Sequence, residues 1–233
     1  MTTEQQKEQG DIVGAYYDTI AEHYDESRFN NSYGQFIDYE ERRTLDSIID
    51  SSSDRLRLEM ACGTGRLTNY ATHALDVSAE MMKYAQQRNP NVSFRQVSAT
   101  ETGFDDAMFD TVYAFHLMMH LTPATIEDIV AEVYRILKPG GRFIFDFPSK
   151  KRRRLLHHKQ PSWHGGTEMS TEDITQLIAQ RFHLERSFGV MMLPVHKLPV
   201  GIRKPLQRFD YALANGWMKE YSSYLIVELI KEP

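Results

Sequence analysis

The chain has 233 residues, enough to bury one large core, and its length disfavours two independent domains. A composition of 41% hydrophobic and 25% charged residues excludes a disordered or fibrous protein, and a net charge of −5 disfavours one that coats itself with phosphate contacts. The single cysteine, Cys62, excludes an intramolecular disulfide and a cysteine-based metal cluster.

No run of about 18 apolar residues occurs, and residues 1–14 are polar without a signal-peptide segment, so the expected location is the cytoplasm, with no transmembrane segment. Residues 1–10 lack apolar periodicity and are expected to fray. From Ile12 to Ile49 the pattern is helical, with aromatics at Tyr16, Tyr17, Tyr24, Phe29, Tyr33, Phe36 and Tyr39 and breaks near Asn30-Asn31 and Gly34. This stretch, with its frayed tail, is expected to form a cap over residues 1–53. Residues 54–233 alternate between strand and helix patterns.

A first strand is expected over Arg55 to Ala61, a short helix over Arg66 to Ala71 and a second strand over His73 to Val77. Ser78 then caps a helix that Asn89-Pro90 stops. Val92 to Val97 and Thr111 to His116 read as the third and fourth strands. Thr125 to Leu137 reads as a helix ended by Pro139-Gly140-Gly141, and Arg142 to Phe147 as a nearly all-apolar fifth strand of the buried parallel type. The basic, turn-rich residues 148–169 are read as an insertion or lid. Thr171 to Arg181 is an expected helix, and Phe182 to Val190 and Tyr221 to Ile230 the last two strands. Between those strands, the stripe Leu206, Phe209, Leu213 marks a helix that covers the sheet's end. The alternation predicts an α/β fold: a Rossmann-like, mostly parallel seven-stranded sheet with helices on both faces.

The segment Glu59-Met-Ala-Cys-Gly-Thr-Gly65 places a Gly-rich turn between a strand and a helix, where glycine lets backbone N–H groups approach a ligand. Asp76, ending the next strand, can accept hydrogen bonds from ribose hydroxyls, so the pair predicts an adenosine-containing cofactor. A dinucleotide fingerprint would need a third small residue where Thr68 stands, and Glu59 would repel a pyrophosphate. An NAD-type oxidoreductase is therefore the weaker alternative. Cys62 reads as a small packing residue with no catalytic role.

At these residues the sequence resembles the class I S-adenosylmethionine-dependent methyltransferases of the small-molecule type. The likeness rests on the Glu59–Gly65 loop, Leu75-Asp-Val-Ser78, residues Ser98 to Asp110, Leu137-Lys-Pro-Gly-Gly141 and the lead-in "YYDTIAEHYDES", and extends from about Tyr16 to Ile230. It implies S-adenosyl-L-methionine as cofactor. Glu59, Ala61, Gly63 and Gly65 would surround its amino-acid end, Asp76 its ribose, Val77 and Met81 its adenine, and Ser98 and Ala99 the adenine edge. Phe115 and His116 would lie under the methyl group, with Tyr17 and Tyr24 above. Ser98 stands where the family usually has Asp, so Thr100 becomes a candidate partner for the adenine amino group. Asp76 follows Glu59 by only 17 positions, less than is usual, which leaves room for about two helical turns.

Methyl transfer chiefly needs alignment and the exclusion of water, and a histidine can accept the nucleophile's proton. His116 and His120, at and just after the end of the fourth strand, are the candidates, each also readable as a pocket-shaping residue. The histidines show no metal-ligand spacing, so no metal is expected. The run Lys150 to Arg154 reads either as a solvated face or, through Arg152, Arg153 and Arg154, as an attractant for an acidic or lipid-like acceptor. Trp163 is a candidate for the far wall of that site. The expected partner is a small-molecule methyl acceptor, methylated at oxygen or nitrogen. Nucleic acid is disfavoured and a homodimer is allowed. A cofactor-binding or regulatory protein of the same fold, without turnover, is the alternative from a different class.

Overall fold

The computed structural model describes residues 13–50, 52, 54–157, 166–179 and 181–232. The strands are β1 (Arg57–Met60), β2 (His73–Asp76), β3 (Ser93–Gln96), β4 (Phe109–Ala114), β5 (Leu137–Pro148), β6 (Phe182–Val190) and β7 (Tyr224–Lys231). They form one sheet in the order β3-β2-β1-β4-β5-β7-β6. The first five strands run parallel, and β7 enters antiparallel between β5 and β6. The chain winds outward from β1 in one direction and from β4 in the other. The boundary between those two strands is the switch point at which an open α/β sheet holds ligands, beyond its C-terminal strand ends.

The helices are α1 (residues 13–20), α2 (Tyr24–Arg28), α3 (Ser32–Ile48), α4 (Ala79–Arg88), α5 (Pro123–Ile136), α6 (Lys150–Leu155), α7 (Thr171–Leu177) and α8 (Val200–Ala214). Both faces of the central strands are covered, so apolar residues run consecutively along them and successive side chains enter different cores. Val112, Phe143 and Phe145 pack with Ile126, Ile129, Val130 and Val133 of α5 on one side. Tyr113, Ile144 and Ile226 pack with Phe36, Ile37, Leu45 and Ile48 of α3 on the other. Asp146, two positions after Ile144, has the parity of the α3 side, and this strand alternation brings a carboxylate toward that helix.

Local chemistry sets the ends of these elements. The Asn31 side chain accepts hydrogen bonds from the N–H groups of Tyr33 and Gly34, so α3 starts just before Gly34 and runs through it, where a break was expected. Ser78 caps α4 through the Met81 N–H, as expected. Thr122 caps α5 with Pro123 in its first turn, two residues before the expected start. Ser170 and Asp173 form a capping box on α7, which ends at Leu177 rather than Arg181.

Two sequence expectations need correction. The helix expected over Arg66–Ala71 is only a 3-10 turn, Thr68–Tyr70, because the short loop must reach β2 and Thr68 turns its hydroxyl onto Glu59. The stop at Pro139-Gly140-Gly141 lies inside β5: Leu137 already pairs with Phe109, and residues 138–141 loop out before Arg142 pairs with Thr111. The lid proposed over 148–169 begins with α6, capped by Ser149. Its central part, with Trp163, lies outside the described residues.

Candidate active site

Gly63 and Gly65 follow β1 with φ of +53° and +80°, a conformation that costs a side-chain-bearing residue. A Cβ at Gly65 would lie 2.7 Å from the Ala85 Cα, so the turn can pack on α4 only with glycine there. A Cβ at Gly63 would meet nothing within 4 Å, and the need at that position is conformational. Ala61 (φ +55°) and His116 (φ +57°) are also left-handed, without being glycine. They sit just beyond the ends of β1 and β4, on either side of the switch point, where strained backbone accompanies functional geometry.

Asp76 anchors the loop from below. Its Oδ2 accepts the Gly63 N–H at 2.8 Å and its Oδ1 the Ser78 N–H at 2.9 Å. The Val77 backbone N–H also acts on it, and a carboxylate offers about four lone-pair sites, so one remains for another donor. Glu59 is buried, and burial pushes its carboxyl up to about 8 even though the Thr68 hydroxyl donates to it. Thr68, the residue that disfavoured a dinucleotide, is thus fixed by Glu59. Burial raises the Cys62 thiol well above its ordinary value, which keeps it protonated and unreactive.

Three cavities lie along this edge. The first is lined by Ala61, Asp76, Val77, Val97, Ser98, Ala99, Thr100, Leu117 and Leu121, among others. The hydroxyls of Ser98 and Thr100 are 2.8 Å apart at its rim. The second, over the glycine turn, includes Tyr24, Phe29, Glu59, Ala61, Gly63, Phe115 and His116. The third, of about 220 Å³, is walled by Tyr17, Tyr24, Phe29, Tyr33 and Tyr224, with Arg28, His116, Met119 and His120. Ala61 joins the first to the second, and Tyr24, Phe29 and His116 join the second to the third. Met81, expected against the adenine, is buried in the core and its N–H serves the Ser78 cap. Gly65 likewise packs on α4 and does not line these cavities.

His116 is held between two carboxylates from different elements. Its Nε2 lies 2.8 Å from Glu41 Oε1 of α3, and its Nδ1 3.4 Å from Asp146 Oδ2 of β5. The backbone N–H of His116 also donates to Asp146 Oδ1 at 2.6 Å. Burial works against a charged ring, but the two carboxylates outweigh it and hold the imidazole above its ordinary pKa. Burial likewise opposes ionisation of Glu41, but Arg66 and His116 outweigh it and hold that carboxyl down to about 2. Arg66 bonds Glu41 and Asp38, each at 2.6 Å, and its guanidinium lies 4.0 Å from the centre of the Phe29 ring. Ligand-type atoms of Glu41, His116 and Asp146 lie within 4.8 Å of one another. The ring offers a different nitrogen to each acid and Arg66 already neutralises Glu41, so the set is better suited to hold a proton than a cation.

His120 closes a 3-10 turn after β4, with its ring centre 6.4 Å from that of Tyr17. The basic run is tied into its surroundings. Lys150 pairs with Asp173 at 2.8 Å, Lys151 with Glu172 and Glu220, and Arg152 donates to the Met192 and Tyr221 carbonyls. Arg153 lies 3.7 Å from Glu168, while Arg154 is exposed. Glu41, Asp146, Tyr224 and Arg66 were not singled out from the sequence, and Phe29 and Tyr33 were read there only as aromatics of the cap. The acid inside the apolar run Phe143–Phe147 was the available signal for Asp146.

The sheet order and the glycine turn between β1 and β2 define a doubly wound domain built to hold a nucleotide-type ligand at its switch point. Residues 58–145 match the family model described as a methyltransferase domain. The chain is 31% identical over 166 residues to a demethylmenaquinone methyltransferase of Lactiplantibacillus plantarum, covering 65% of this chain and 67% of that one. A solved structure from Thermotoga maritima, described as a possible histamine N-methyltransferase, superposes with a TM-score of 0.71 at 18% identity, covering 94% of this chain and 99% of the other. That of Haemonchus contortus phosphoethanolamine N-methyltransferase 1, with phosphoethanolamine and S-adenosylhomocysteine, gives 0.69 at 18% identity over 100% of this chain and 50% of the other. The chain belongs to the class I S-adenosylmethionine-dependent methyltransferase family. It spans 32% to 57% of the length of three further curated relatives.

Proposed function

We propose that the chain transfers a methyl group from S-adenosylmethionine to an oxygen or nitrogen of a small acceptor. The observation that carries this reading is the continuous run of three cavities over the switch point, joined through Ala61 and through His116. In this reading the adenine occupies the apolar cavity of Val77, Val97, Ala99 and Leu117, with the Ser98 and Thr100 hydroxyls at its edge. Asp76 uses its remaining lone-pair site on the ribose. Glu59 and the glycine turn face the amino-acid end, whose ammonium suits a buried acid better than a pyrophosphate would. When bound, the cofactor supplies an activated methyl group on a sulfonium.

The acceptor occupies the aromatic cavity. At about 30 Å³ per water, its 220 Å³ equals roughly seven waters, which suits a small molecule or one end of a longer one. Tyr17, Tyr24, Phe29 and Tyr224 exclude water and orient the nucleophile. The bound cofactor would supply that methyl group to the acceptor's lone pair and leave as a neutral thioether, with the aromatic walls holding the two in line. The acceptor's proton passes to Nδ1 of neutral His116, whose contact with Asp146 is only 3.4 Å, while the Nε2 side stays on Glu41, and both carboxylates stabilise the resulting imidazolium. His120 shapes the wall next to Tyr17. The demethylmenaquinone and phosphoethanolamine enzymes among the relatives act, by their names, on unlike acceptors, so the aromatic cavity rather than family membership has to select the acceptor.

The test is calorimetric titration with S-adenosylmethionine, S-adenosylhomocysteine and NAD on wild type and Asp76→Ala. Binding of both sulfur nucleotides but not NAD, lost in the variant, supports the reading. Binding of neither would overturn it.

A further inference from the structure

A histidine that removes protons must also release them. The His116 ring meets two carboxylates, each only 2% exposed: Glu41 on its Nε2 and Asp146 on its Nδ1. Two full negative charges beside one buried imidazole would keep it protonated, because each opposite charge within a few ångströms favours the cation. Of the other groups that face the ring, Tyr224 of β7 is held protonated by burial, with its ring centre 5.9 Å away, and Phe29 of α2 carries no charge. Arg28, in the same cavity, acts on Tyr17 and Tyr24, and His120 lies against Tyr17.

The compensating charge comes from the cofactor turn. Arg66 directly follows Gly65 and lines the cavity over that turn. Its Nη2 lies 2.6 Å from Glu41 Oε2, so the two oxygens of Glu41 are divided between the guanidinium and His116. Its Nη1 lies 2.6 Å from Asp38 Oδ1, and Arg42 holds the same carboxylate at 2.9 Å. Asp38 and Glu41 are thereby matched by Arg42 and Arg66. Asp146, which accepts the backbone N–H of His116, is the one carboxylate of this network left with only the His116 ring as a cation among the described residues.

We propose that Arg66 is a positioning residue for proton removal: by holding Glu41 in an ion pair, it reduces a site of two acids to one imidazole facing one acid, Asp146, from which a proton can leave between turnovers. The inference rests on the proposed role of His116 as the base. A purely structural tie between the turn and α3 would need the guanidinium's hydrogen bonds but would set no direction for the ring's proton affinity.

The test is a proton NMR titration of the His116 ring, assigned with His116→Gln, on the full chain without cofactor or acceptor. Arg66→Met should raise the midpoint by at least about one pH unit, and Arg66→Lys, which keeps the charge, by less than about half as much. Asp38→Asn, at a side chain that is 28% exposed, leaves Arg66 to Glu41 alone and should lower the midpoint. Once an acceptor is in hand, the acid limb of the pH–rate profile should move with each midpoint. Thermal melts identify any variant that fails to fold, and if Arg66→Met does, Asp38→Asn decides. A midpoint that stays or falls in folded Arg66→Met, or that stays or rises in Asp38→Asn, overturns the proposal. A large loss of kcat in His116→Ala beside unmoved midpoints removes this inference alone, whereas an unchanged kcat there removes the base role and this inference with it.

Discussion

The two ends of the cavity run are built differently. The cofactor end is made from short segments that follow one another in sequence: the β1 turn, the end of β2 and the loop after β3. The acceptor end draws Tyr17, Tyr24, Phe29, Tyr33 and Glu41 from the N-terminal helices, His116 and His120 from beyond β4, Asp146 from β5 and Tyr224 from β7. Local backbone geometry dictates the first set, since a positive-φ turn accepts few residues. The second is assembled by packing and can be rebuilt without disturbing the sheet. A family can therefore keep one cofactor while its acceptors diverge.

This contrast predicts effects of different size at the two ends. Asp76→Ala should have the largest effect on cofactor binding, since it removes both the anchor of the Gly63 N–H and the proposed ribose acceptor; we expect at least about a 100-fold loss of S-adenosylhomocysteine affinity by calorimetry. His116→Ala should leave that affinity near wild type and lower kcat by about 10² to 10⁴ once an acceptor is in hand. Equal losses in both quantities would remove the division between the two ends. In wild type the histidine must be neutral to accept a proton, so activity should fall as pH drops through its raised pKa. Asp146→Asn removes one of the charges that raise it and should move this acid limb to lower pH, by a displacement read directly from the pH–rate profile.

Smaller effects follow from the buried acids. Glu59, pushed up to about 8, is mostly protonated at neutral pH, and a bound ammonium favours its ionised form. Cofactor binding at pH 7 should then release up to one proton, measured from the dependence of binding enthalpy on buffer ionisation heat, and Glu59→Gln should release none. Glu40 offers a control away from the chemistry. It neighbours Glu41 on α3, but burial and nearby Asp210 push its carboxyl up to about 9. An unfolded Glu titrates near 4.5, so this contribution to stability is complete below that pH and is lost as pH rises toward 9. Glu40→Gln keeps an acceptor for the Met191 N–H and should flatten the decline, stabilising the fold near pH 9 by on the order of 2 kcal/mol, checked by thermal melts across pH.

Glu40 and Glu41 also show where sequence reading stops. Adjacent and identical in type, they are held at about 9 and about 2, because a 100° turn of the helix points one at Asp210 and the other at Arg66. Nothing local in the sequence distinguishes them. By contrast, the strand–helix alternation, the cap at Ser78, the glycine turn and Asp76 were legible, since each depends on residues within a few positions. The short helix after Gly65 was misread because Thr68 is fixed by Glu59, nine positions away across the turn. The basic run was read by its charge alone, and the structure shows acids and carbonyls from distant segments engaging most of it.

The sequence by itself determined the sheet, its switch point and the kind of ligand held there, because periodicity, turn conformation and capping are short-range. Only the tertiary structure decided that His116 lies between Glu41 and Asp146, that aromatic residues from four separated segments wall one cavity, and that the α8 stripe faces outward. Those arrangements depend on which helix face meets which strand, and that is settled by the burial of the whole core.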